Sequence, residues 1–194
     1  MSGVKVGVLA LQGAFREHIE SLQALGAACV EVRRPEHMSG VDALVMPGGE
    51  STTTTKLLVS SGLFDVVKDL VSEGMPALGT CAGMIVAATE VLDGVGGLPS
   101  LGLIDVAVRR NAYGRQRDSF EALVPIPCIA GGPFPGVFIR APAIERVGPG
   151  VEVLASFEGR PVLARRGRVA VSTFHPELSG DLRVHRWFLS EVVS

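Results

Sequence analysis

The sequence predicts an α/β fold: an open, mostly parallel sheet flanked by helices on both faces, with a small antiparallel addition, formed as one domain over residues 1–194. Three observations lead there. Strand-sized apolar runs alternate with helix-period segments through the first half of the chain, the pattern of a parallel sheet with right-handed crossovers. The first of those runs is close to continuously apolar rather than alternating, as in a strand covered on both faces. From Leu103 onward short β-like runs succeed one another, which extends the sheet and adds the antiparallel part.

In order, Val4 to Ala10 is an apolar strand apart from Lys5 and Gly7. After the turn Leu11-Gln12-Gly13, Phe15, Ile19, Leu22 and Leu25 recur at helical spacing over Ala14 to Leu25, and Gly26 ends that helix. Ala28 to Val32 and Val41 to Met46 are strands, separated by the polar loop Arg33 to Gly40. Pro47-Gly48-Gly49-Glu50-Ser51-Thr52 comes next, with Ser51 or a threonine as N-cap of a helix through Lys56-Leu57-Leu58. Leu63 to Ser72 is a further helix, stopped at Gly74. Met75 to Leu78 is a short buried strand running into Gly79-Thr80-Cys81-Ala82-Gly83, and Met84 to Ala88 reads as helix. Asp93 to Gly102 is a glycine-rich surface loop. The β-like runs are Leu103 to Val108, Ser119 to Val124, Gly136 to Ile139, Val151 to Ala155, Val162 to Ala164 and Val169 to Thr173, and a helix from Leu182 to Val193 closes the chain.

Composition bounds the function. Of 194 residues, 47% are apolar and 20% charged, which supports a real core and argues against disorder. The net charge is −2 with no basic run, one Trp and one Tyr, so there is no nucleic-acid footprint. The longest apolar stretches are strand-sized, so no membrane span is expected, and Met1 to Lys5 shows no signal-peptide pattern. Three cysteines, an odd number, argue against a disulfide framework and for a reducing, cytoplasmic location. Cys29 and Cys128 lie in apolar surroundings and read as structural. His18, His37 and His185 read as surface or helix-face residues.

Gly-x-Cys-x-Gly between a strand and a helix is a nucleophile elbow with cysteine in place of serine. Small neighbours let strand and helix pack around a strained central residue, and the sulfur lies at a helix N-terminus, which favours thiolate. A lone cysteine in a glycine-rich loop is usually inert, so the elbow counts only if a base and an oxyanion site accompany it. His175-Pro176-Glu177 offers the base: two residues apart on extended chain, both side chains leave the same side, and the carboxylate can orient the imidazole. Gly48-Gly49 lies at a strand's carboxyl end, where such sheets bind ligands, and can turn N–H groups into a site. Arg110, in Arg109-Arg110-Asn111-Ala112-Tyr113-Gly114-Arg115-Gln116, and Arg140, in Phe138-Ile139-Arg140-Ala141-Pro142, can each clamp a carboxylate.

With these blocks in view the chain resembles a class I (triad) glutamine amidotransferase of flavodoxin-like fold. Gly79 to Gly83 with His175-Pro176-Glu177 is the general signature. Pro47 to Thr52, Arg110-Asn111 with Gly114-Arg115-Gln116, Phe138 to Pro142, Leu11-Gln12-Gly13 and Arg16-Glu17-His18 resemble one family, the glutaminase subunit of pyridoxal 5′-phosphate synthase. Tyr113 stands where that family often has Phe, and Gly94 to Pro99 and Ile126 to Pro135 match less well. The resemblance implies hydrolysis of L-glutamine to glutamate and ammonia, without cofactor or metal. It implies delivery of ammonia to a separate (β/α)8-barrel synthase subunit, in a large hetero-oligomer with one glutaminase per synthase subunit. It implies Cys81 as nucleophile, His175 as general acid/base and Glu177 as its orienter; Gly48, Gly49 and Ala82 as the oxyanion site; and Gly49, Glu50, Ser51, Arg110, Ile139 and Arg140 as glutamine-binding residues. Three other readings stand beside it: a glutaminase serving another synthase, such as one for histidine biosynthesis; a cysteine hydrolase or protease of similar fold; and a catalytically silent binding protein.

Overall fold

A computed structural model describes residues 3–94, 96–110, 112 and 119–194. Asn111, Tyr113, Gly114, Arg115 and Gln116 of the arginine-rich block lie outside the described residues.

The first half alternates as the periodicity requires: β1 (Lys5–Leu9), α1 (Phe15–Ala24), β2 (Ala28–Val32), β3 (Ala43–Met46), α2 (Ser51–Ser60), α3 (Leu63–Ser72), β4 (Ala77–Thr80) and α4 (Ala82–Ala87). Then come β5 (Ala88–Val91), β6 (Ile104–Arg109), β7 (Ser119–Val124), β8 (Phe134–Ile139), β9 (Ala143–Val147), β10 (Glu152–Phe157), β11 (Arg160–Arg166) and β12 (Val169–Ser172). The chain ends in α5 (Arg183–Trp187), continued by a wider π turn over Phe188–Val192.

The main sheet has the order β10-β11-β12-β4-β3-β1-β2. From β12 to β2 all neighbours are parallel, and β11 and β10 extend it antiparallel. A three-stranded sheet β5-β6-β9 and the hairpin β7–β8 are the smaller additions. Period-two side-chain direction divides the core in two. Val6, Val8, Ala43, Val45, Leu78 and Ala170 face the layer holding Leu22 of α1 and Val184 and Trp187 of α5. Leu44, Met46, Ala77, Val169 and Val171 face the layer holding Leu58, Val67 and Met84 of α2, α3 and α4. Helices thus cover both faces, and the apolar strands carry no polar side.

Several boundaries and placements differ from the sequence expectation. Glu50, not Ser51 or a threonine, caps α2: its carboxylate accepts from the N–H groups of Thr52 and Thr53 at 2.9 and 2.7 Å. Two strands, β5 and β9, fall where no β run was expected, because in each the apolar residues are interrupted by polar or charged ones. Part of Arg33 to Gly40 forms a 3₁₀ turn, Pro35–Met38. Cys128 is exposed rather than buried: Ile126 and Ile129 take the core side of a turn closed by Ile129 N–H to Ile126 C=O, and Cys128 between them faces out. His18 and His185 are fully buried, not surface residues, since each is in phase with the core residues of its helix. His37 stays at the surface, where its Nδ1 either accepts from Arg33 N–H or donates to Glu31 C=O, according to tautomer. Among the described residues no helix is long and apolar enough to cross a membrane.

Candidate active site

Three adjacent parallel strands, β3, β4 and β12, end side by side, and each hands the chain to a functional segment at its carboxyl end. β4 runs into Cys81, which has φ 48° and ψ −105°. A non-glycine residue in that region stores about 1–3 kcal/mol of strain and persists only where the surroundings enforce it. Here the backbone is pinned on both sides: Cys81 N–H donates to Ser172 C=O at 2.9 Å, and Cys81 C=O accepts from Ile85 N–H at 3.2 Å. Gly83 is glycine because a Cβ would sit 1.9 Å from the Met46 carbonyl oxygen. α4 begins at Ala82, two residues earlier than expected, and spans six residues, so its dipole is small. His175 is the larger positive partner within reach of the sulfur.

β12 leads through Thr173 and Phe174 to His175, whose N–H donates to Val137 C=O of β8 at 2.8 Å. Its Nδ1–H donates to Glu177 Oε1 at 2.7 Å, and the ring lines the same cavity as Cys81, whose Sγ–H points to the Ile139 carbonyl at 4.0 Å. The route differs from the extended one expected: Pro176–Leu178 is a 3₁₀ turn, which folds Glu177 back under His175. Burial works against the imidazolium, but the hydrogen bonds to Cys81 and Glu177 and their charges outweigh it and raise the His175 pKa to about 10. Glu177 is buried too, yet the charge of His18 close to one oxygen and the hydrogen bond from His175 to the other hold its carboxyl well below the usual range. Among the described residues no His, Cys, Asp and Glu group forms a metal cluster.

β3 leads to Gly48 and Gly49. A Cβ on Gly48 would lie 2.2 Å from His175 Cε1, so only glycine lets the imidazole lie over this peptide. Gly49 has φ 156°, and the Gly48 carbonyl accepts from Ala14 N–H at 3.2 Å. Gln12 brackets the next residue, donating to Glu50 C=O at 3.0 Å and accepting from Glu50 N–H at 3.3 Å. Burial pushes the Glu50 carboxyl up, but hydrogen bonds from Thr53 and Thr52 outweigh it and lower the pKa to about 2, so this carboxylate is committed to capping.

These segments surround a cavity of about 220 Å³, lined by Cys81, His175, Gly49, Glu50, Ser51, Arg110, Ile139, Arg140 and Ile85. That is below the roughly 300–1,000 Å³ of drug-sized pockets and suits an amino acid. Arg110 is steadied by its Nη1–H donating to Thr52 Oγ1 at 3.1 Å, and Arg140 is held at φ 41°. Gly48 lies beneath His175, and Ala82 is buried as the first residue of α4. Sequence reasoning gives no site role to Ile85, to Gln12 and His18, which it met only as parts of family-like blocks, or to His185 behind the site. The phase of His18 with Leu22, four residues on along α1, is the signal that points inward.

A buried cysteine paired with an imidazole that a carboxylate orients is a nucleophile–base constellation, and the two arginines across the cavity can take a carboxylate. Comparison with known proteins narrows the class. The model of the SNO glutamine amidotransferase family matches residues 8–194. The chain is 54% identical over 187 residues to the pyridoxal 5′-phosphate synthase subunit PdxT of Dehalococcoides mccartyi, covering 96% of each chain. To the PdxT of Pelotomaculum thermopropionicum it is 55% identical over 190 residues, covering 98% of this chain and 96% of that one. A solved structure described as a glutamine amidotransferase superposes with a TM-score of 0.91 at 51% identity, over 97% of this chain and 98% of that one. A chain of PurLQS from Thermotoga maritima superposes at 0.67 with 15% identity over 97% of this chain and 98% of that one, a likeness of fold alone. The chain belongs to the SNO glutamine amidotransferase family.

Proposed function

We propose that this chain is the glutaminase subunit of a pyridoxal 5′-phosphate synthase. It hydrolyses L-glutamine to L-glutamate and ammonia, and it passes the ammonia to a (β/α)8-barrel synthase subunit. The observation that carries this reading is the grouping of Cys81, the His175–Glu177 pair and two arginines around one amino-acid-sized cavity. The near-full-length identity to subunits of that synthase supports the partner.

The Cys81 thiolate attacks the side-chain amide carbon of glutamine. The developing oxyanion takes hydrogen bonds from the N–H of Ala82 and from one N–H of the Gly48-Gly49 segment; loss of one such donor typically costs about 10²–10³ in rate. His175, protonated and oriented by Glu177, gives its proton to the departing ammonia. A water then loses a proton to His175 and attacks the γ-glutamyl thioester, which releases glutamate and restores the thiolate–imidazolium pair. Arg110 and Arg140 hold the substrate α-carboxylate, with Gly49, Glu50, Ser51 and Ile139 completing the pocket. The Gly48-Gly49 peptide is the segment whose reorientation on docking of the synthase would complete the oxyanion site, in a hetero-oligomer with one glutaminase per synthase subunit.

The test is ammonia release from glutamine by the purified chain with and without the synthase subunit. The expected result is weak activity alone and a large rise with the partner; equal rates would count against partner control. Cys81→Ala should abolish ammonia release while the chain stays folded and still binds the synthase, and activity retained in that variant would sink the mechanism.

A further inference from the structure

Glu177 has two carboxylate oxygens, and His175 occupies only Oε1. The other, Oε2, is buried and faces Nε2 of His18 at 3.2 Å. The same Nε2 lies 3.1 Å from the hydroxyl of Thr80, the last residue of β4 before Cys81. Oε2 makes no hydrogen bond of good geometry among the described residues, so the His18 contact reaches it as a close electrostatic one. On the far side, His18 Nδ1 lies 2.9 Å from His185 Nε2 of α5, with the two rings edge to face. His18, Thr80 and His185 have no exposed surface.

Hydrogen-bonding chemistry restricts where the protons lie. A carboxylate only accepts, so the nitrogen of His18 that faces it carries hydrogen. His18 Nδ1 and His185 Nε2 then share one proton between them. Burying two imidazoles in a layer otherwise made of residues such as Leu22, Val184 and Trp187 is costly, and an apolar pair would fill the space at less cost to folding. The titratable groups that face His18 are Glu177 from the turn after β12 and His185 from α5. Both contacts belong to one chain of side chains, His185 to His18 to Glu177 to His175.

We propose that His18 is a positioning residue of the Cys81–His175–Glu177 triad. Through Nε2 it holds the second oxygen of Glu177 and so fixes the carboxylate plane that keeps Oε1 on His175, while His185 holds the His18 ring in the tautomer this needs. The inference rests on the reading of that triad given above. His18 does not line the cavity, so its effect reaches the substrate only through Glu177 and His175.

The test compares His18→Gln, whose amide nitrogen reaches the place of Nε2, with His18→Asn, whose amide reaches only the place of Nδ1. Both are assayed for glutaminase activity at saturating synthase subunit, with Cys81→Ala as control. The Asn variant should lose about 10²-fold in kcat with KM within about twofold of wild type, the scale expected when a catalytic group is misplaced by about 1 Å. Its alkaline limb of kcat/KM against pH should move to lower pH, because His175 keeps its proton less firmly. The Gln variant should recover most of kcat and the wild-type limb. Equal kcat and equal limbs in the two variants, or an Asn variant indistinguishable from wild type, overturn the proposal. Nitrogen-15 NMR of the histidines in the wild-type protein supplies a reading that no variant's folding can spoil: Nε2 of His18 should be protonated, and a bare Nε2 overturns the proposal. Cys81→Ala retaining activity would instead overturn the triad itself, whatever His18 does.

Discussion

Cys81 and Arg140 are two of the three non-glycine residues with positive φ among the described residues, and both line the cavity. Strain held at two points of one pocket is characteristic of a preorganised site when neighbouring packing enforces it. Cys81 is pinned between β12 and α4, so its position does not depend on a ligand being bound. His175 carries the electrostatic consequence. Its pKa is raised above the ordinary value of 6.5 to about 10 by Cys81 and Glu177 against burial, so its contribution to stability is complete below pH 6.5 and lost as pH rises through about 10. On the proposed mechanism the protonated ring is also the acid that releases ammonia. The alkaline limb of kcat/KM should therefore lie well above neutrality and move to lower pH in Glu177→Gln, where the negative charge on His175 is gone. A pH–rate profile of the two proteins checks this, and coincident limbs would contradict it.

Among the elements, β3, β4 and β12 each deliver one segment to the site, and each connection uses a different local device. α2 is anchored by Glu50, whose carboxylate takes two backbone N–H groups and the Thr53 hydroxyl. Since Glu50 is largely exposed, the helix cap and not burial is its contribution. Glu50→Ala should lower stability by about 1 kcal/mol, as loss of an N-cap side chain does. Because the folded-state pKa is lowered from 4.5 to about 2, that contribution is present above pH 4.5 and disappears as pH falls through about 2. Urea denaturation of the variant and the parent at neutral pH and near pH 2 reads both effects. Gln12, bonded to both backbone groups of Glu50, ties the same corner to the end of β1. The loop beside the oxyanion candidates is thus held from two strands.

Across the whole molecule, one sheet separates two apolar layers, and the layer carrying α1 and α5 contains the buried His18 and His185. Burial, with the charge of His18 adding to it and Glu177 opposing, lowers the His185 pKa to about 3. The unfolded chain accepts a proton on His185 at 6.5, while the folded chain refuses it until about 3. Between those values the unfolded state binds more protons, so stability falls as the solution is acidified, by up to about 1.4 kcal/mol per pH unit from this group. Chemical denaturation at several pH values across that window should show the slope, and His185→Phe should flatten it.

The order of elements was legible in the residues alone, because apolar runs, helical spacing and glycine stops are local properties. Leu63–Ser72, Ala28–Val32 and Ser119–Val124 lie at the expected bounds, whereas β5 and β9, short strands that mix apolar with polar or charged residues, carry no local sign of pairing. The elbow was also legible, since a cysteine between small residues at a strand–helix junction is a one-dimensional pattern. Three things required the tertiary structure. Cys81, His175, Arg110 and Arg140 lie far apart in sequence and meet because strand order sets β4 between β12 and β3, while the ends of β6 and β8, from the two smaller sheets, bring the arginines to the same cavity. Glu177 reaches His175 through a 3₁₀ turn rather than an extended chain. His18 and His185, separated by 167 positions, become partners only when α1 and α5 pack on the same face of the sheet. Local sequence determines which residues form each element; long-range packing decides which side chains share a proton.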